Sequence, residues 1–175
     1  MKNTARVIIT KKCNRTCHYC CNEKDGTFDD SINLNSIAEL AGYSSVVISG
    51  GEPMLYWERV IAFAKAIREA YPRTKIYLQS ATCTKYTDEV LQHVDGITYT
   101  VHEEASLRDA AMFASMQDLA MRYASEKNFR LNVHDDCPQY LSICPKAWRE
   151  VRFFHHRDEC PVPANETLFT MNFEV

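Results

Sequence analysis

The stretch Val-Val-Ile-Ser-Gly-Gly-Glu-Pro at residues 46–53 joins a short β-branched run to two adjacent glycines. A brief apolar run that ends at glycine is typical of a buried strand. Since the chain has only five glycines, the pair Gly50–Gly51 indicates a place where another group must approach the backbone closely. Residues 56–71 then repeat apolar side chains at helical spacing and end before Pro72. The stretch predicts a strand, a tight turn and a helix in succession.

The same alternation extends along the chain in both directions. Strands are predicted at residues 6–10, 46–49, 75–78, 97–101, 129–133 and 151–154. Helices are predicted at residues 34–41, 56–71, 86–93 and 104–125, with a further helical turn at 141–148. Strands separated by helices favour parallel pairing. We therefore predict an α/β fold with a partial, open (β/α)6 barrel, because a closed eight-fold barrel typically needs about 250 residues. A doubly wound sheet is the alternative.

Composition limits the class of protein. The 175 residues carry 20 Lys+Arg and 23 Asp+Glu, for a formal net charge of −3, and 46% are hydrophobic. These values predict one globular domain over residues 1–175 and argue against general polyanion binding. The longest aliphatic runs have three residues, too few to cross a membrane, and the first ten residues lack a secretory signal. We expect a cytoplasmic protein with no membrane partner.

Polar and sulfur-bearing residues follow the predicted strands. In parallel α/β folds such positions open on one rim, where binding sites are normally built. The residues that follow the first two strands are Cys13, Cys17, Cys20, Gly50, Gly51 and Glu52. Those that follow the later strands are Gln79, Ser80, Thr82, His102, Glu103, Glu104, His134, Asp135, Asp136, His155 and His156.

The segment Cys-Asn-Arg-Thr-Cys-His-Tyr-Cys at residues 13–20 places three thiols within eight residues. Without an export signal, such cysteines indicate metal or redox chemistry. Thiolates suit zinc or an iron–sulfur cluster, and both usually take four protein ligands. Three ligands on a cluster would leave one iron open to substrate or cofactor. A zinc site completed by a distant Cys or His is the alternative.

Cys13, Cys17 and Cys20, with Tyr19 before the last cysteine, match the CxxxCxxC signature of the radical S-adenosylmethionine (SAM) superfamily. The stretch at 49–53 resembles the GGE motif of the same superfamily. The resemblance implies that the three thiolates hold a [4Fe–4S] cluster and that SAM chelates the fourth iron. It also implies reductive cleavage of SAM to methionine and a 5′-deoxyadenosyl radical, which takes a hydrogen atom from substrate.

The resemblance further implies roles for individual residues. Gly50, Gly51 and Glu52 should receive the SAM ammonium group, and Tyr19 should pack beside the adenine. Polar groups at the ends of later strands should contact the SAM carboxylate and ribose; these are Ser80, Thr82, His102, Glu103 and Asn132. The segment 80–82, Ser-Ala-Thr, departs from the Thr-Asn-Gly commonly seen there. Candidate catalytic groups are His102, Glu103 and His134.

Two features in the C-terminal part of the chain have alternative interpretations. Cys137, Cys144 and Cys160 could bind a second cluster, although free cysteines are also common core residues. A basic run could contact the phosphates of a nucleotide or nucleic acid, or it could be a solvated face. The run consists of Lys146, Arg149, Arg152, His155, His156 and Arg157.

The substrate is less defined than the chemistry. The chain is short for a member that matures peptides, and the basic run slightly favours a nucleotide or nucleic-acid base, including a phage-type hypermodified pyrimidine. One alternative is an activase that installs a glycyl radical on a large partner enzyme. An alternative of another class is a non-catalytic zinc or iron–sulfur interaction module. A radical enzyme would also need a one-electron donor such as flavodoxin or ferredoxin.

Overall fold

The computed structural model describes residues 3–23, 28–138, 141–155, 162–173 and 175. Within these ranges eight strands form one sheet in which every neighbouring pair is parallel. The strands are β1 (Thr4–Thr10), β2 (Ile32–Leu34), β3 (Ser45–Gly50), β4 (Lys75–Ser80), β5 (Gly96–Val101), β6 (Asn128–His134), β7 (Glu150–Phe154) and β8 (Glu166–Met171). Their order is β2-β8-β1-β3-β4-β5-β6-β7. Because β2 and β7 are edges, the sheet is open.

In the same ranges three α-helices connect the central strands: α1 (Trp57–Ala70), α2 (Thr87–Leu91) and α3 (Leu107–Arg122). Short 3-10 helices occur at Cys21–Glu23, Ile37–Leu40, Pro53–Tyr56 and Pro145–Ala147. The side chain of Ser106 caps α3 by accepting a hydrogen bond from the backbone N–H of Asp109. Across the described part of the chain, no helix is long and apolar enough to cross a lipid bilayer.

The two faces of the sheet have opposite character because successive side chains of a strand point to opposite sides. One face packs against the helices and forms the core, which includes the fully buried Val46, Ile48, Ile76, Leu78, Val60, Phe63 and Ile67. The other face carries polar side chains that line two adjoining cavities; they include Arg6, Ser49, Gln79, Thr98, Thr100, Arg130, Asn132 and Arg152. The polar face is therefore where a ligand has room to bind.

The predicted open α/β architecture is confirmed, but its strand count is wrong. The six predicted strands are β1 and β3 to β7, which lie side by side in chain order. The structure adds β8 and β2 beyond β1, so the described residues form eight strands rather than six. The helix predicted at residues 34–41 is also wrong, because Leu34 ends β2 and the 3-10 helix Ile37–Leu40 follows.

The other helices are confirmed with shorter bounds. The prediction for residues 104–125 is too long, because the cap at Ser106 starts α3 at Leu107. Leu107, in the first turn of α3, is 79% exposed, whereas Met116 further along the helix is fully buried. The turn predicted at 141–148 reduces to the 3-10 helix Pro145–Ala147. That the chain is a single domain stays a prediction.

Candidate active site

A large cavity opens where the central strands end. Its volume is about 540 Å³, within the range of ligand-binding clefts. Cys13, Cys17 and Cys20 line it together with the turn after β3, as the order of the strands predicts. Other lining groups come from the ends of the later strands; they include Ser80, Thr100, His102, Asn132, Arg152 and Phe154.

Cys13, Cys17 and Cys20 are free thiols of graded exposure. Cys13 is exposed, Cys20 is half-buried and Cys17 is buried. Partial desolvation raises the pKa of the Cys13 thiol, and burial raises that of Cys17 to about 11, with a smaller contribution to the latter from the charge of Glu104. Since metal binding requires thiolates, cluster assembly would release protons from these groups.

The donor set fits a cluster held at three corners. Cys21 also lines the cavity, but it is disulfide-bonded and therefore offers no free thiol. Among the described residues, the remaining free cysteines are Cys83, Cys137 and Cys144, and none of these lines the cavity. Three free thiols that line one cavity, with space beside them, fit a [4Fe–4S] cluster with one iron open to an exogenous ligand.

The turn at residues 50–52 holds the start of segment 11–20, which we call the cysteine loop, beside β3. The N–H of Gly51 donates to the carbonyl of Thr10 over 2.8 Å, and the N–H of Glu52 donates to the carbonyl of Lys12 over 2.9 Å. A Cβ at Gly51 would lie 2.2 Å from the Lys12 carbonyl oxygen. Gly50 has φ of +139°. These contacts explain why two glycines are adjacent here: side chains would push the cysteine loop away from β3.

Glu52 is almost fully buried, and its carboxylate already has protein donors. The hydroxyl of Ser80 donates to Oε1 over 2.7 Å, and the backbone N–H of Met54 donates to the same oxygen over 3.0 Å. The backbone N–H of Ala81 donates to Oε2 over 2.9 Å. Burial nevertheless raises the pKa of Glu52. The carboxylate thus ties the end of β3 to the end of β4.

Arg15, within the cysteine loop, fastens that loop to two other elements. Its guanidinium donates to the Ala81 carbonyl over 3.0 Å and forms an ion pair with Asp109. Asp109 is the residue that closes the capping box of α3 with Ser106. Arg15 was missed in the sequence, because its partner lies 94 residues away and no local pattern connects them.

Tyr19 lies between two histidine rings. Its ring stacks on His134 with a centroid distance of 4.9 Å and on His102 at 5.8 Å. The phenol oxygen is 2.8 Å from Nδ1 of His102, and burial raises the pKa of the phenol above its usual range. Burial lowers the pKa of His102 to about 4. The packing of Tyr19 beside adenine stays a prediction.

The three candidate catalytic groups do not share one environment. His102 lines the cavity, whereas His134 is 1% exposed and lies behind Tyr19. Nδ1 of His134 accepts from the backbone N–H of Asp136 over 3.2 Å, and Nε2 lies 3.6 Å from a Glu103 oxygen. Neither His134 nor Glu103 lines the cavity. Of the three candidates, His102 is therefore the one that lines the cavity.

The other residues predicted to contact SAM also differ in whether they line the cavity. Ser80 and Asn132 line the cavity, whereas Thr82 is buried outside its lining. Cys137 and Cys144 pack partly buried against the core, and Cys160 lies outside the described residues, so the second cluster stays a prediction. Cavity residues that the sequence did not single out include Arg15, Thr100, Phe153 and Phe154. Thr100 of β5 pairs with Asn132 of β6. The alternation of side chains along β5 could therefore have indicated that Thr100 faces the same cavity.

An alternative metal set is also present. The ligand atoms of Cys17, His102 and Glu104 lie within 4.8 Å of one another, as do those of His18, Glu103 and Glu104. The first set shares Cys17 with the cysteine loop and provides the distant His that a zinc site would need. It would use only one of the three convergent thiols, so it accounts for less of the site than a cluster does.

Comparisons with known proteins agree with the cluster. Residues 7–103, more than half of the chain, match the family model for the Radical SAM superfamily. A GTP 3',8-cyclase of Sulfurovum sp. (strain NBC37-1) is 32% identical over 105 residues, covering 51% of this chain and 32% of that protein. A GTP 3',8-cyclase of Aliarcobacter butzleri (strain RM4018) is 27% identical over 184 residues, covering 87% and 57%.

The chain thus spans about a third of the first of these relatives and somewhat over half of the second. The matched segment begins in β1 and ends just beyond β5, so it contains the cysteine loop, the Gly50–Gly51 turn and His102. The chain belongs to the radical SAM superfamily, whose members are enzymes that use a [4Fe–4S] cluster and S-adenosylmethionine.

Proposed function

We propose that this protein cleaves S-adenosylmethionine reductively and uses the resulting radical to modify a nucleotide or a nucleic-acid base. The observation that carries the proposal is the convergence of three free thiols and the Gly50–Gly51 backbone on one cavity of about 540 Å³. When bound, the cluster and SAM supply a 5′-deoxyadenosyl radical that abstracts a hydrogen atom. The protein's own contribution is to bind, orient and exclude water.

The residues that line the cavity would have different roles. Cys13, Cys17 and Cys20 would hold three irons. Gly50 and Gly51 bring backbone close enough for the SAM ammonium to find acceptors beside the cluster. His102, whose pKa is lowered by burial, stays neutral near pH 7 and can accept or donate one hydrogen bond at the cavity wall.

The nucleotide assignment rests on two observations. Relatives with the printed name GTP 3',8-cyclase match the chain, which supports a nucleotide as the substrate class. On the polar face of the sheet, Arg130 and Arg152 also line a second cavity that adjoins the first. The reaction would need a one-electron donor such as flavodoxin or ferredoxin. That the protein is cytoplasmic stays a prediction.

Anaerobic reconstitution tests the proposal. The protein is loaded with iron and sulfide, reduced with dithionite and mixed with SAM, and 5′-deoxyadenosine is measured. We expect brown protein with the absorbance of a [4Fe–4S] cluster and time-dependent 5′-deoxyadenosine. Cys17→Ala should abolish both signals, whereas Cys83→Ala, outside the cavity, should keep them. A colourless, zinc-loaded wild-type protein that leaves SAM intact would show a non-catalytic metal module instead.

A further inference from the structure

The polar face of the sheet carries two arginines, Arg130 and Arg152, near the cavity of about 540 Å³ at the strand ends. We call that larger cavity the cofactor cavity. In the strand register, Thr98 of β5 pairs with Arg130 of β6, which pairs with Glu150 of β7. One row closer to the rim, Asn132 pairs with Arg152. Residues two apart on a strand are separated by roughly 7 Å, so these rows lie one and two steps beneath the rim.

Two cavities meet at Arg152. This side chain lines the cofactor cavity together with the cysteine loop, and it also lines a second cavity of about 150 Å³. Arg130 lines the second cavity only, whereas Asn132 and Gln79 line both. A ligand that enters the cofactor cavity can therefore reach both guanidinium groups without crossing the sheet.

The charges of this pair are not balanced by the described residues. Among these, the carboxylate that both arginines share is Glu150, which lies 2.6 Å from Nε of Arg152 and 3.6 Å from Nε of Arg130. Both arginine side chains remain substantially exposed, at 64% and 48%. The arginine of β1 differs, because Arg6 pairs with its own carboxylate, Glu166, over 2.7 Å. The Arg130–Glu150–Arg152 group, which we call the arginine pocket, thus carries one excess positive charge.

We propose that the arginine pocket binds a phosphate group of the substrate, with Arg152 and Arg130 donating to its oxygens. This inference rests on the proposed function, since it specifies where a nucleotide would be held. Guanidinium groups form paired hydrogen bonds with phosphate oxygens. In the free protein Glu150 occupies part of this donor surface, so the incoming phosphate competes with Glu150 for the same N–H groups.

The arginine pocket would also fix the orientation of the bound substrate. A phosphate held one to two rows below the rim leaves the sugar and base pointing toward the cysteine loop. Arg152 is then a specificity-determining residue, because nucleosides without phosphate would lack its charge-assisted hydrogen bonds. Glu150 opposes binding, so the two neighbouring residues have effects of opposite sign.

Equilibrium dialysis on the reconstituted protein tests the pocket. The probes are GTP and CTP, each compared with its nucleoside. The variants are Arg152→Gln, Arg130→Gln and Glu150→Gln. Arg122→Gln is the control, because Arg122 is similarly exposed on α3 and pairs with Asp88 away from the cavities. Formation of 5′-deoxyadenosine without added nucleotide is recorded in parallel.

We expect at least one of the triphosphates to bind the wild type about tenfold or more tightly than its nucleoside. Each arginine variant should lose about tenfold in triphosphate affinity and none in nucleoside affinity. Glu150→Gln should bind the triphosphate several-fold more tightly, a gain that loss of structure would not give. Arg122→Gln should behave as wild type.

Equal affinity for nucleoside and triphosphate would overturn the phosphate assignment, as would weaker triphosphate binding by Glu150→Gln. If SAM cleavage persists in that case, only the arginine pocket is refuted. If the wild type fails to cleave SAM while the triphosphate discrimination holds, the proposed activity fails and the pocket remains a phosphate site.

Discussion

Replacing Gly51 with alanine should detach the cysteine loop from the sheet. The added Cβ would lie 2.2 Å from the Lys12 carbonyl oxygen and 2.7 Å from that of Lys11. Real Cβ contacts are essentially never below 3.0 Å, so the backbone at Lys12 must move by about 0.8 Å or more. These obstacles are main-chain atoms, which cannot rotate out of the way as the end of a side chain can.

The energetic cost follows from what this movement breaks. Overpacking in a close-packed site costs about 1–3 kcal/mol. The movement also stretches the hydrogen bonds from Gly51 N–H to Thr10 and from Glu52 N–H to Lys12, at about 1 kcal/mol each. We therefore expect Gly51→Ala to lose about 3–5 kcal/mol in the free energy of unfolding, a large share of a typical domain's stability.

Gly42 provides the matched control. It has φ of +85°, and no atom of the described residues lies within 4 Å of the position that a Cβ would take there. Gly42→Ala should therefore cost only the left-handed backbone penalty of about 1–2 kcal/mol. Urea unfolding of the metal-free proteins measures both changes, and iron and sulfide content after reconstitution measures the cysteine loop. Wild-type stability and cluster content in Gly51→Ala would refute the packing argument.

Three further predictions concern the same cavity. Cys17→Ala should lose the cluster absorbance and SAM cleavage, and iron analysis showing wild-type content would contradict the assignment. Glu52→Gln should destabilise the protein by about 2–4 kcal/mol, because its new NH₂ would face the N–H of Ala81; an unchanged urea midpoint would exclude this role. His102 has a pKa lowered by burial to about 4 from 6.5, so the unfolded chain takes up its proton first as the pH falls. The metal-free protein should therefore lose stability between about pH 6.5 and 4, and His102→Gln should remove that part of the loss in urea unfolding at several pH values.

The sequence predicts the central strands well because each carries its own local signal. β3 is a short apolar run that ends at a glycine turn, β5 alternates apolar residues with threonines, and α1 repeats apolar residues up to Pro72. β8 contains the strand-forming residues Thr167, Phe169 and Thr170, but its place beside β1 depends on residues about 160 positions apart, such as Thr4 and Glu166. β2 is only three residues long and exposes Ile32. Both depend on long-range pairing that local patterns do not record.

The residues of the candidate site also differ in whether a local sequence pattern indicates them. The cysteine loop and the Gly50–Gly51 turn were predictable because their chemistry is written in consecutive residues. Arg15 and Arg152 were not placed, since each acquires its role from neighbours on other strands or helices. Arg152 even belongs to a basic run in the sequence, yet the structure separates it from Arg149 by placing it on the inner face of β7. The alternation of side chains along β7, which composition does not record, places Arg152 on the same face as Glu150.

Glu52 joins two strand ends through its buried carboxylate. An ionised carboxylate offers about four acceptor positions, and the N–H groups of Met54 and Ala81 with the Ser80 hydroxyl use three of them. Glu52 also lines the cavity, so a cation bound beside it, as we propose for the SAM ammonium, would offset the cost of burying the charge. Binding of that cation should therefore stabilise the link between β3 and β4, which joins cofactor affinity to the rigidity of the loop that holds the cluster.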